Sequence, residues 1–400
     1  MISRKSPFFW CWPRLLCGPL LFFSADGVRA VEIEKPTNQI STVTATKPLA
    51  AVLSPAKWQR VENSVDRALA WMATQQGADG SFPTYPSGQP GVTSLATMAF
   101  LSRGHQPGLG PFGQRINRAI DFVLSCQASN GLITLLPPGR AHEDKQPSHT
   151  AVYNHAISGL MLGEVYGQVS GQRAKAAKQV IERALQFSRQ LQIRPKLPAD
   201  KGGWRYLRVN HTGIESDLSV TGWQIMFLRS AKNAEFDVPQ AQVDEAIAYV
   251  RRCWDESSGA FSYDTEVGGV TIDTRAMVGA GILSLSMGGQ HQTSMALAAG
   301  DWLLKHPYRR FGELVSSRDR FFYGAYYCSQ AMAQLGGRYW EQFFPPLAEV
   351  LLSSQAADGS WPPEVDKGGG GEAIFGTVYS SSLAVLSLTP PYQLLPVYQR

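Results

Sequence analysis

From residue 57 onward the chain repeats one pattern of apolar and polar positions. Val61, Val65, Ala68, Leu69 and Met72 recur at helical spacing on an otherwise charged stretch. Asp79-Gly80-Ser81-Phe82 then turns the chain, and Thr93 to Leu101 follows as a smaller, more apolar helix. Comparable outer stretches run near Arg115 to Gln127, Gln172 to Gln190, Gln240 to Trp254, Gln292 to Lys305 and Tyr339 to Gln355. Each precedes an inner stretch, near His149 to Leu162, Asp217 to Arg229, Thr271 to Met287, Phe321 to Leu335 and Gly376 to Leu388. The inner stretches are almost uncharged, which predicts helices buried on most sides, while the outer ones keep a polar face for water. A recurrence of roughly 50 to 65 residues signals repeated supersecondary units. The predicted class is all-α, with six helical hairpins in an inner and an outer ring. An open solenoid would also bury the inner faces, but it needs polar capping repeats. Here the last inner stretch, Val378 to Leu388, is as apolar as the middle ones, so a closed ring is expected.

The turn inside the hairpins is the most specific signal. Gln355-Ala356-Ala357-Asp358-Gly359-Ser360-Trp361 and Gln76-Gly77-Ala78-Asp79-Gly80-Ser81-Phe82 share Gln-x3-Gly-x-aromatic. Gln127 to Ile133 keeps the Gln and Gly131 with an aliphatic end, and Asp255 to Phe261 keeps Gly259 and the aromatic. The third unit retains Gly202-x-Trp204, and the fifth shows no convincing copy. Glycine suits a helix-ending turn with positive φ, the amide suits orphan backbone groups, and the aromatic suits a plug between hairpins. This pattern resembles the repeat of squalene and hopene cyclases and, more loosely, of protein prenyltransferase β subunits, over Lys57 to Leu388.

The resemblance implies an α/α toroid, and an apolar or isoprenoid-like ligand in its lumen. It does not bring the chemistry with it. The cyclases protonate a terpene with the middle Asp of an Asp-x-Asp-Asp motif, whereas the nearest approach here, Thr271-Ile272-Asp273-Thr274-Arg275-Ala276, keeps only the final Asp. The Asp-x-Cys element of the zinc-binding prenyltransferases and an Asp-Asp-x-x-Asp magnesium site are both absent from the sequence. The expectation is a scaffold without either known activity, with no metal and no cofactor.

Composition adds the compartment. The 400 residues are 44% hydrophobic and 17% charged, which excludes wholesale disorder. Residues 1–30 have a basic start (Arg4, Lys5), an apolar run from Phe8 to Phe23 and a small-residue end at Ala30, and they read as a secretory leader. Export to the periplasm or beyond follows, with an uncleaved membrane anchor or lipoprotein processing at Cys17 as alternatives. Removing Arg4, Lys5, Arg14, Arg29 and Asp26 leaves a net charge of +2, too little for a claim on nucleic acid. Membrane contact is expected only through an uncleaved leader. Residues 31–56 are rich in Thr, Pro, Ala and Val and read as a linker, 57–390 as the toroid and 391–400 as a C-terminal tail. Cys126, Cys253 and Cys328 are too widely separated to form a staple framework, and buried thiols are expected.

Hairpins running in one order put all inner-helix N-termini at one mouth, where dipoles and loops gather. Two loops there are chemically rich. One is Lys201-Gly202-Gly203-Trp204-Arg205-Tyr206-Leu207-Arg208, leading through His211 to Glu215 and Asp217; the other is Tyr263-Asp264-Thr265-Glu266, leading to Asp273 and Arg275. The functional reading pairs Asp217 with Asp273, with Arg205 or Arg275 as counter-ion and Trp204 and Tyr206 as a platform for an apolar or sugar face. The structural alternative makes Ser216 and Thr271 N-caps, Asp217 and Asp273 first-turn dipole partners, and Trp204 a hairpin plug. His149 and His155 lie about 240° apart on a helix and do not form a metal pair, whereas His149 and Tyr153, at i and i+4, share a face that is either lumen-lining or satisfied core. Arg318-Asp319-Arg320 is expected as a solvated loop and Gly368 to Gly371 as a flexible lid. The ligand is expected to be an apolar small molecule or a carbohydrate. The functional alternatives to plain binding are a divergent terpene cyclase, a carbohydrate lyase or hydrolase, and an interaction scaffold.

Overall fold

The computed structural model describes residues 48–137, 145–207, 214–265, 274–364 and 371–399, all within one unit that starts at Thr46. The described residues hold six outer helices, α1 (Pro55–Gln75), α3 (Gly113–Ser125), α5 (Gly171–Gln192), α7 (Gln240–Arg252), α9 (Ser294–Lys305) and α11 (Gly337–Ser354). They alternate with six inner helices, α2 (Gly91–Ser102), α4 (Lys145–Tyr166), α6 (Leu218–Asn233), α8 (Arg275–Met287), α10 (Phe321–Leu335) and α12 (Gly376–Leu388). Among the described residues the only sheet is a two-stranded ribbon, Trp254–Asp255 with Ala260–Phe261. No helix among them is long and apolar enough to cross a membrane.

Each inner helix packs on the next, and α12 packs on α2, so the inner ring closes. The seam is tied on the outside as well. Ser64 Oγ donates to Gln355 Oε1 at 2.8 Å, Gln355 Nε2 donates to the Ser64 carbonyl at 2.8 Å, and Arg60 pairs with Glu349 at 3.2 Å. Small residues let the inner helices approach closely: a Cβ on Gly163 would meet Ser230, and one on Gly279 would meet the backbone of Tyr327 and Cys328.

The repeated turn does more than end a helix. In four hairpins the Gln side chain donates both to the carbonyl of its own turn glycine and to a carbonyl on a neighbouring outer helix. These are Gln76 to Gly80 and Arg115, Gln127 to Gly131 and Val180, Gln192 to Gly202 and Gln242, and Gln355 to Gly359 and Ser64, at 2.8–3.1 Å. The four glycines have φ of +90° to +97°, and a Cβ there would lie 2.0–2.8 Å from a carbonyl oxygen of the neighbouring outer helix. Glycine is thus required twice, by conformation and by contact.

After each turn a large side chain plugs the hairpin: Phe82, Ile133, Trp204, Phe261, Tyr308 and Trp361 are all at most 1% exposed. Four plugs anchor their backbone N–H on the following inner helix, at Thr93, His155, Thr221 and Ser381. His155 therefore accepts through Nδ1, which leaves the Nε2 proton for Ser188 Oγ at 3.0 Å. Complete burial pushes its pKa down to about 3. It is a neutral core histidine.

The described end of the linker, from residue 48, and the described tail also join the fold. Leu49–Val52 forms a 3-10 turn whose Leu49 carbonyl accepts from Trp340 Nε1 at 2.8 Å. The last described residues fold across the ring end where the inner helices finish. Asn233 and Gln334, from the last turns of α6 and α10, donate to the Pro396 and Tyr398 carbonyls, and the Val397 N–H donates to Glu164 of α4. The Tyr398 hydroxyl bonds that of Tyr326 and approaches Met226 Sδ at 3.6 Å.

Candidate functional site at the mouth of the ring

The inner helices start at the opposite end. Asp217 caps α6: its Oδ1 accepts from the Val220 N–H at 2.8 Å, and its own N–H donates to the Trp204 carbonyl at 2.9 Å. Asp217, rather than Ser216, is the N-cap, and Thr274, rather than Thr271, caps α8. Both caps follow the expected ones, because the extended residue whose side chain bonds back is the one immediately before the first helical turn.

Asp217 is wholly buried, and its Oδ2 accepts no hydrogen bond. Arg205 Nε stands 4.0 Å from that oxygen, and Arg205 Nη1 reaches Asp264 Oδ2 at 3.5 Å and the Ser216 carbonyl at 3.2 Å. Burial pushes the Asp217 carboxyl up to about 7, against the lowering effects of Arg205, the Val220 N–H and the Tyr263 hydroxyl. The guanidinium sits 5.5 Å from the ring centres of both Tyr206 and Tyr263.

Tyr206 and Tyr263 bond each other through their hydroxyls. Tyr206 lies 6.1 Å from the ring of Tyr153 and 4.5 Å from that of the exposed His149. Tyr153 continues through Ser219 Oγ at 2.7 Å to the Tyr323 hydroxyl at 2.8 Å, spanning α4, α6 and α10. All four tyrosines are half-buried. Immediately beneath, Trp223 stacks on Tyr326 at 5.3 Å and meets Tyr327 edge-on, and each of the three is at most 1% exposed. The lumen is therefore filled by protein at this layer, and the four half-buried tyrosines on its mouth side form what we call the bowl.

Several expected members stand elsewhere. Trp204 is not a platform, because its ring is fully buried and its Nε1 donates to the Ser188 carbonyl at 2.8 Å. It is the plug of its hairpin. Arg275 is not the counter-ion of Asp217. It is buried against Asp319 at 2.9 Å and lies 3.8 Å from the ring centre of Tyr308. Asp319 is correspondingly buried, so Arg318-Asp319-Arg320 is not a fully solvated loop: a buried guanidinium needs a carboxylate. Asp273 and Gly368 to Gly370 lie outside the described residues. Glu215 is half-buried, and its N–H donates to Asp200 Oδ2 at 2.9 Å.

Sequence reasoning missed Ser219, Trp223, Tyr323 and Lys196. The first three have a helical-face signal, since 219 and 223 lie one turn apart on α6, as 323, 326 and 327 do on α10. Lys196 had none, because it joins residues distant in sequence: its Nζ donates to the Gly203 carbonyl and to Ser216 Oγ. Burial lowers its pKa to about 8. Among the described residues no group of three His, Cys, Asp or Glu side chains is arranged to hold a metal.

No family model matches the chain, and no curated protein matches it. Solved structures do. A variant of the type II terpene cyclase MstE from Scytonema, in complex with geranylgeranyl dihydroxybenzoate, aligns over 85% of this chain and 99% of its own at 14% identity and a TM-score of 0.55. A glycosidase variant aligns over 86% and 100% at 14% identity and a TM-score of 0.55. A variant of the α-1,6-mannanase GH76A from Salegentibacter, in complex with α-1,6-mannotriose, aligns over 84% and 99% at 11% identity and a TM-score of 0.53. At these identities the likeness speaks for architecture alone, and it agrees with the closed double ring: the chain has the α/α-toroid fold that these terpene cyclases and glycosidases share.

Proposed function

We propose that this toroid binds a small, ring-shaped, hydroxyl-rich ligand of the carbohydrate class in the tyrosine bowl at its mouth. The observation that carries the reading is the sealed layer of Trp223, Tyr326 and Tyr327 under four half-buried tyrosines. Aromatic faces bordered by a guanidinium and the Asp264 carboxylate suit a ligand with an apolar face and a polar edge. The isoprenoid-like ligand implied by the repeat would need the depth of the lumen, which these aromatic rings and Tyr398 occupy. Binding rather than turnover is the reading adopted, because Asp217 is spent on the α6 cap and shielded from the bowl. Export, read from residues 1–30, fits an extracytoplasmic glycan ligand and belongs to the same proposal.

The test is native mass spectrometry of the purified mature chain with α-1,6-mannotriose and a panel of other soluble oligosaccharides, alongside lipid extraction of the same preparation. Oligosaccharide adducts that Tyr206→Ala removes are the expected result. A reproducibly co-purifying isoprenoid without any oligosaccharide adduct overturns the reading, and turnover of a glycan that Asp217→Asn abolishes converts the binder into an enzyme.

A further inference from the structure

The four glutamine clamps of the outer ring share one geometry. Their acceptor carbonyls are those of Ser64, Arg115, Val180 and Gln242, in helices that end at Gln75, Ser125, Gln192 and Arg252, so each lies ten to twelve residues before its helix stops. The turn glycine packs three residues further on, against the carbonyl of Arg67, Arg118, Arg183 or Glu245. At the seam between α7 and α9 the ribbon strand Ala260–Phe261 packs on α9 instead. Among the described residues the seam between α9 and α11 has neither device. The short α9 meets the start of α11, where Arg338 pairs with Asp301 and the Tyr339 hydroxyl donates to the Leu297 carbonyl at 3.2 Å, and it then ends at Lys305.

A groove of about 560 Å³ takes the place of the clamp, with Leu304 and Pro307 from the end of α9 on one side and Phe343, Pro346 and Val350 of α11 on the other. Counting back from Ser354 by the same interval puts the missing acceptor at residues 342–344 and the missing glycine seat at 345–347. Pro345 and Pro346 occupy that seat. Proline has no N–H, so the Gln342 carbonyl, which would accept from residue 346 in a regular helix, lacks its helical donor on the groove face that Gln342 and Pro346 share. A carbonyl short of a donor thus stands where four sister seams receive a glutamine amide. We propose that this groove docks a partner protein through a helix-ending turn of the ring's own kind, its glutamine amide donating to the Gln342 carbonyl and an apolar side chain lying between Leu304 and Val350. Gln76, Gln127, Gln192 and Gln355 are all engaged within their own ring, so the turn comes from a different protein rather than a second copy. The volume suits a few side chains. The site lies on the outer wall and does not depend on what the tyrosine bowl binds.

Methyl-resolved NMR of the full chain decides, with a synthetic peptide spanning Ala348 to Trp361 as the probe, because it carries the last turns of an outer helix and their glutamine turn. Shifts at the Leu304 and Val350 methyls that saturate below about 1 mM peptide are expected. Gln355→Met in the peptide keeps the side-chain length and removes the amide, and should weaken binding about tenfold. Ser353→Trp in the full chain fills one end of the groove from an exposed position and should abolish the shifts. The peptide arm needs no altered chain, so a folding defect in that variant cannot mask the answer. No shift up to about 1 mM, equal binding by the Gln355→Met peptide, or shifts that survive Ser353→Trp each overturn the proposal. Self-association of the chain alone that Ser353→Trp disrupts would make a second copy the occupant, and overturns it as well.

Discussion

Two tyrosine pairs occupy opposite ends of one lumen, and each joins its hydroxyls directly. Tyr326 and Tyr398 close the far end, where Met226 is the other neighbour of the Tyr398 hydroxyl and the rings are 0% and 8% exposed. Tyr206 and Tyr263 stand at the mouth, half-buried, with Arg205 between them and Asp217 behind. The same contact closes the ring at one end and builds a recognition surface at the other. The difference lies in the surroundings: the lower pair has nothing left to offer a ligand, while the upper pair borders a cation and a carboxyl whose charge is undecided near neutral pH.

Removing the lower pair has the largest expected effect. Tyr398→Ala leaves a ring-sized void and a Tyr326 hydroxyl with only Met226 Sδ, at 3.6 Å, to bond, and should cost about 4 kcal/mol in urea unfolding. A cost under about 1 kcal/mol would mean that the C-terminal segment lies on the ring without being part of its core.

The next effect compares the buried carboxyls of the two ends. Burial raises Glu164 from 4.5 to about 7, although Ser230 and the Val397 N–H hold it down, and raises Asp217 from 3.8 to about 7. A carboxyl raised on folding binds its proton more tightly in the native state. Its stabilising contribution is complete below the unfolded value and is lost as pH rises through the folded one. The contribution of these two carboxyls should therefore fall between pH 4 and 7 and level off above, each accounting for on the order of 3 kcal/mol, against an opposite rise up to about pH 6.5 from the neutral core His155, whose pKa burial lowers to about 3. Glu164→Gln and Asp217→Asn should each flatten part of that slope. If only the Glu164 variant does so, the mouth is wetter than its burial implies.

The ring was legible because its signals are local. Helical spacing located every hairpin, the recurring turn marked all but the fifth in whole or in part, and inner helices such as Phe321–Leu335 and Gly376–Leu388 fall where the apolar pattern put them. The site was legible only in part. Arg205, Tyr206 and Asp217 were visible as a rich loop, yet Trp204 from the same loop turned inward as a plug, and Arg275 found Asp319 44 residues away. Such choices depend on which neighbour is buried beside a side chain, and spacing along the chain carries no record of that. The Gln192 clamp was hidden for a related reason: extra residues separate it from Gly202, and the bond survives because the loop folds back.

The smallest expected effect on stability is also the one that separates the two ends most cleanly. Tyr206 is half-buried, so Tyr206→Ala leaves a space that water can enter, and its cost should stay within about 1 kcal/mol. The change should nevertheless release Arg205 from one of its two ring partners and strip the bowl of its bridge between Tyr153 and Tyr263. Ligand binding should thus fall at least about tenfold while the unfolding midpoint barely moves. Tyr398→Ala should show the reverse ratio, a large loss of stability with the mouth unchanged. A Tyr206→Ala protein as destabilised as Tyr398→Ala would make the mouth pair a second structural seal, and the functional site would have to be sought elsewhere on the ring.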